Sequence, residues 1–127
     1  MIYNRERLNQ FVDYSNLTIG SIHPTDSDGE IEYKDKAWIF FEIKYRSKEL
    51  PFGQSLALKR KIDDISKAGK PAVLFVAEHY VDDVRQDIDA AECIVRNFYY
   101  QGKWYQGDGS DLKAYTNRFV GMVDGIN

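Results

Sequence analysis

Hydrophobic and polar positions alternate most clearly between Trp38 and Arg46, where Ile39, Phe41 and Ile43 fall on one side and Trp38, Phe40, Glu42, Lys44 and Arg46 on the other. Period-two alternation of this kind predicts a strand with two different faces. The stretch from Pro24 to Tyr33 reads as a shorter strand entered from a polar turn, with Lys34, Asp35 and Lys36 as the loop of a hairpin over about residues 27–46. A three-residue loop sets Gly29 beside Phe41 and Ile31 beside Ile39, and brings Asp28 opposite Glu42. A loop one residue shorter or longer would send Asp28 to the other face unless a bulge corrected it.

The rest of the chain alternates helical and extended patterns. Residues 4–14 predict a first helix capped by Asn4, with Leu8, Phe11 and Val12 inward. Residues 53–68 predict an amphipathic helix with Leu58, Ile62 and Ile65 on its apolar stripe, stopped by Gly69. Pro71 to Ala77 is a continuous apolar run, as a central strand covered on both faces requires. A strand, a helix and a buried strand in succession predict a crossover that makes the third strand parallel to the second. Residues 82–90 are acidic and read as a short helix or turn. Residues 91–100 and 103–106 read as two further strands, and Ser110 or Asp111 caps a last helix carrying Leu112, Tyr115, Phe119 and Met122 on one stripe. The expected order is α-β-β-α-β-(α)-β-β-α, an α/β domain with a mixed sheet and helices on both faces.

Composition sharpens this outline. At 127 residues the chain is read as a single domain, residues 1–127, large enough for a real core. No apolar run is long enough for a membrane-spanning helix, so no membrane partner is expected. The lone cysteine, Cys93, has no internal disulfide partner, which suits a reducing cytoplasm, and its place in an apolar stretch suggests a buried, inert thiol. The net charge of −3 is unevenly spread: residues 44–61 carry +5 and the remainder −8. That basic segment includes Lys44, Arg46, Lys48, Lys59 and Arg60. It reads either as a solvated helix end or, beside an acidic pair, as a surface for phosphate.

The chemistry rests on a conjunction. Asp28 precedes one strand, Glu42 and Lys44 share a face of the next, and Gln54 opens the following helix on the stripe of Leu58 and Ile62. Two carboxylates able to share a divalent cation, with an ammonium beside them, are the equipment of a metal-dependent phosphodiesterase. Glu-x-Lys alone is common, and the competing reading is a hairpin whose solvent face is dressed with charges. Gln54 equally suits capping of helix-start backbone groups. His79, where the apolar run ends, reads as a structural histidine or a substrate contact, and His23 lacks a partner at zinc-ligand spacing. The aromatic residues Phe98 to Tyr100, Trp104 and Tyr105 suit core packing, a dimer contact or stacking on bases.

In order and spacing, Asp26-Ser-Asp28, Phe-Phe-Glu42-Ile-Lys44 and Gly53-Gln54 resemble the PD-(D/E)xK nuclease superfamily, which includes restriction-type endonucleases, archaeal Holliday-junction resolvases and small phage-encoded nucleases. The resemblance spans about residues 24–77 and implies a restriction-endonuclease-like sheet flanked by helices. It implies catalytic roles for Asp28, Glu42, Lys44 and Gln54, and a Mg²⁺ or Mn²⁺ ion held by Asp28 or Asp26, Glu42 and the carbonyl of Ile43. Glu6 would match a glutamate that some members carry on the first helix. Ser27 and Gly29 depart from the bulky apolar residues usual beside the aspartate, which leaves the choice between Asp26 and Asp28 open. Arg46, Lys48, Lys59 and Arg60 would grip the backbone of branched or duplex DNA. The implied function is a cytoplasmic, structure-selective or nonspecific endonuclease of bacterial or phage type, compatible with a homodimer. The alternative is an inactive module on the same scaffold that binds DNA or a protein.

Overall fold

The computed structural model describes residues 13, 15–22, 24, 28–46 and 52–125, without the side chains of residues 52–54. Its framework is a five-stranded mixed sheet with strands in chain order, β1 (Gly29–Tyr33), β2 (Ala37–Tyr45), β3 (Ala72–His79), β4 (Ile94–Tyr100) and β5 (Lys103–Gln106). Helix α1 (Phe52–Lys67) joins β2 to β3, and α2 (Leu112–Val123) follows β5. β2 and β3 run parallel and every other pairing is antiparallel, as the crossover through α1 requires.

The hairpin register is the expected one, with Gly29 beside Phe41, Ile31 beside Ile39 and Tyr33 beside Ala37. The loop turns through left-handed Lys34 and Asp35 without a glycine, held by the Lys36 N–H donating to the Tyr33 carbonyl at 2.8 Å. α1 ends as its sequence predicts. Gly69 is left-handed (φ 97°), its N–H donates to Ser66, and the next N–H, Lys70, reaches back to Ile65, which satisfies two terminal carbonyls.

Two cores lie on the two faces of the sheet. On one, Ile39, Val73, Phe75, Ala77 and Val95 pack against Leu112, Tyr115 and Phe119 of α2. On the other, Phe40, Leu74, Val76 and Tyr99 pack against Leu58 and Ile62 of α1. β3 is buried from Ala72 to Glu78, which is why its sequence does not alternate. Among the described residues, no helix is long and apolar enough to cross a membrane.

Some expectations are narrowed and others corrected. The acidic stretch 82–90, read as a short helix or turn, is a turn, followed by a single 3-10 turn at Ala90–Glu92 capped by Asp89. It contains too few apolar residues to bury a helical stripe. β4 starts at Ile94 rather than residue 91 because that turn precedes it. Asp111, not Ser110, caps α2 by accepting from the Ala114 N–H. Met122 is 41% exposed, and Val123, four residues after Phe119, continues the packed stripe instead. The expected first helix lies outside the described residues, as do Glu6, His23, Asp26 and Lys48.

Candidate functional site

The α1 face of the parallel pair is apolar at its amino end and charged at its carboxyl end. Along β2 it runs Trp38, Phe40, Glu42, Lys44; along β3 it runs Ala72, Leu74, Val76, Glu78. Glu42 pairs in register with Val76, and Lys44 with Glu78. Both carboxylates are withdrawn from water, Glu42 at 0% and Glu78 at 1% exposure. An ionised carboxylate in such a place survives only beside compensating charge and hydrogen bonds. The Lys44 ammonium lies 3.7 Å from Glu42 Oε2, with its side chain 22% exposed. It is close enough to offset charge and open enough to meet a ligand.

Glu78 has its own partners. Arg96 Nε and the Tyr80 hydroxyl both donate to Glu78 Oε1, and an Arg96 terminal nitrogen donates to the Tyr80 oxygen at 2.9 Å. These contacts raise the Arg96 pKa further above its already high value, Tyr80 contributing most and Glu78 next. A register shift places Arg96 there. Val76 pairs with Asn97 and Ala77 with Val95, so Arg96 is an extra residue on β4. The sequence reading missed this cluster. Its one legible signal was Glu78 continuing an otherwise apolar strand.

Asp28 is brought opposite Glu42 in backbone register. It lies one residue before β1, its N–H donating to the Phe41 carbonyl at 3.1 Å. Its Oδ2 accepts the Ile43 N–H at 2.6 Å, and the residue borders a cavity of about 320 Å³ on the α2 face, with Ile31, Phe41 and Ile43. The carboxylate thus caps the edge of β2 at the residue next to Glu42. Gln54 falls in the first turn of α1, but its side chain is outside the described residues. Among the described residues, no three His, Cys, Asp or Glu side chains converge as a metal-binding group.

The expected basic surface is divided. Arg46, at the left-handed exit of β2, pairs with Asp82 at 2.9 Å and lies 5.3 Å from the Tyr45 ring. The Tyr45 hydroxyl also donates to Asp82, and with Arg46 it holds the Asp82 carboxyl below the usual range. Lys59 lies over the Tyr99 ring at 5.5 Å and Lys61 over Phe40 at 5.0 Å, so their stems cover the flanks of the α1 core. Arg60 is exposed. His79 ends β3, its Nδ1 accepting the Val81 N–H at 3.1 Å and its ring tilted against Tyr45. Cys93 is buried, and burial first, then Asp89 and Glu92, push its thiol pKa up.

Comparison with known protein families, with curated proteins and with solved structures gives no match for this chain.

Proposed function

We propose that the protein is a divalent-metal-dependent phosphodiesterase that cuts DNA, built on a restriction-endonuclease-like scaffold. The observation that carries this reading is the fully buried Glu42 carboxylate with the Lys44 ammonium 3.7 Å away, at the carboxyl end of the parallel pair. The carboxyl ends of parallel strands are where α/β proteins place ligands. Packing alone gives no reason to bury two carboxylates there, whereas chemistry on a phosphodiester needs both a cation-binding acid and a fixed positive charge.

The donors fit a hard cation in kind. Glu42 and the main-chain carbonyl of Ile43 are oxygen ligands of the type Mg²⁺ or Mn²⁺ takes, with Asp28 or Asp26 to complete the set. When bound, the ion would supply Lewis-acid polarisation and a more acidic water. Lys44 orients the attacking water and neutralises charge gathering on the phosphoryl oxygens. Lys59 and Arg60 extend positive charge along α1 toward the DNA backbone, a contribution that weakens with salt.

A second reading, a noncatalytic module on this scaffold that binds DNA or a protein, is favoured by one observation: Asp28 Oδ2 is committed to the Ile43 amide. Metal titration separates the two. The parent should gain ~2.7 kcal/mol of stability at about 100 times the Kd for Mn²⁺. Glu42→Ala should abolish that gain and cleavage together. Lys44→Ala should keep the Mn²⁺ response but lose cleavage of branched and linear DNAs. A parent that neither responds to Mn²⁺ nor cuts any of these DNAs fits the noncatalytic module, and cleavage by both variants at the parental rate would refute the proposed site.

A further inference from the structure

We infer, on the basis of the phosphodiesterase reading above, that Arg96 is a substrate-binding residue whose guanidinium grips a DNA phosphate next to the Glu42–Lys44 pair, and that Glu78 and Tyr80 hold it in position.

Strand alternation explains why a dedicated device is needed. Tyr99 faces α1 and Phe98 packs on the α2 side. Continuing that alternation down β4 would turn Arg96 toward α2 and Val95 toward α1. The extra residue between the Val76–Asn97 and Ala77–Val95 pairs reverses both: Val95 joins the α2 core, and Arg96 meets Glu78. Re-aiming a side chain is what a bulge does, and bulges concentrate beside functional sites.

The bulge is locked from outside by Gly107. Its N–H donates to the Arg96 carbonyl at 2.7 Å, and a Cβ there would fall 2.0 Å from the Val95 carbonyl oxygen. No other residue fits that approach without displacing the bulged backbone.

The guanidinium is then fixed by two acceptors, Glu78 and the Tyr80 oxygen, while 52% of the side chain stays exposed. Neutralising a buried carboxylate needs only one cation. Here the acid is 1% exposed and the cation half exposed, an asymmetry that leaves part of the arginine side chain open to a ligand. Glu78 also occupies the same rung as Lys44, so Lys44 on β2 and Arg96 on β4 flank β3 at one end of the sheet. Strands in a sheet lie about 5 Å apart, so the two cations sit about two strand spacings from each other, a separation that suits neighbouring phosphates of one DNA strand better than a single phosphate.

The test is the salt dependence of binding to a short fluorescent DNA duplex, with chelator present so that no cleavage intervenes. Full-length Glu78→Gln/Arg96→Gln, which removes both charges and leaves no orphaned acid, should bind about tenfold more weakly and lower the log–log salt slope by ~0.9. Arg118→Gln, at a half-exposed arginine paired with Asp108, is the control and should keep the parental slope. A folded double variant with the parental slope overturns the inference. If the double variant does not fold, Arg96→Lys decides: weaker binding at an unchanged slope supports it, and unchanged affinity overturns it. Parental cleavage with Mn²⁺ alongside an unaltered slope removes Arg96 and spares the enzyme reading. A reduced slope in a protein that never cleaves does the reverse, and a parent that binds no DNA removes both.

Discussion

The two faces of β2 and β3 are made by the same two strands and meet different demands. Toward α2 the paired rungs are Ile39 with Val73, Phe41 with Phe75 and Ile43 with Ala77, apolar until the last rung, Tyr45 with His79. Toward α1 the rungs begin with Trp38 beside Ala72 and Phe40 beside Leu74, then change to Glu42 beside Val76 and Lys44 beside Glu78. The backbone is common to both, so the difference lies in what the side chains are for. The α2 face shows what this sheet does when only packing matters. The charged end of the α1 face departs from that pattern at buried positions, where desolvation makes a charge expensive.

The comparison breaks most visibly through the core. Phe75 is 2% exposed and meets the rings of Phe41, Phe98 and Tyr115 at centroid distances of 6.4, 5.9 and 5.6 Å. Phe75→Ala should cost ~3–5 kcal/mol in urea unfolding. The matching change on the other face should behave oppositely. Glu42→Leu combined with Lys44→Met exchanges the ion pair for apolar side chains of similar volume and should leave stability unchanged or raise it by ~1–4 kcal/mol. The same double variant should lose its Mn²⁺ response. A loss as large as that of Phe75→Ala would show that the pair holds the fold together, and the contrast between the faces would disappear.

These faces were legible in the sequence to different depths. The hairpin register followed from alternation, because the Ile39, Phe41 and Ile43 side has to be buried and a three-residue loop then fixes each partner. The continuous run in β3 was equally readable, since a strand covered on both faces has no polar side. Side-chain choice was less accessible: residue identity places Asp28 opposite Glu42, but its carboxylate takes the Ile43 amide within hydrogen-bond reach. Arg46 likewise finds Asp82, thirty-six residues away in sequence, instead of an open surface. The Glu78–Arg96 cluster was hidden because a bulge leaves no mark in residue types. It arises where β3 and β4 fall out of step and Gly107 closes over the carbonyl of Val95.

The smallest effect is expected where the α2 side has polar contacts of its own, at the solvent rim. Asp124, at the end of α2, accepts from the Tyr33 hydroxyl at 2.6 Å and from the Lys36 ammonium at 3.2 Å, tying the helix to the β1–β2 hairpin. Tyr33 first and Lys36 next hold its carboxyl below the usual range. A carboxyl lowered by folding contributes stability that is present above its unfolded pKa and lost as pH falls through the folded value. The same hydrogen bond raises the Tyr33 hydroxyl, so that group's share is present below its unfolded pKa and lost as pH rises through the raised value. Asp124→Asn should therefore flatten the acid limb of the pH–stability curve from the usual carboxylate range downward, as read by urea unfolding. Other exposed acids such as Asp108, lowered by Ser110 and then Arg118, keep part of that limb in place. An ion pair in water has little desolvation to recover, so this substitution should change mid-pH stability far less than Phe75→Ala does. If Asp124→Asn lowered stability at neutral pH as much as Phe75→Ala, burial would not be what separates the core of the α2 face from its solvent rim.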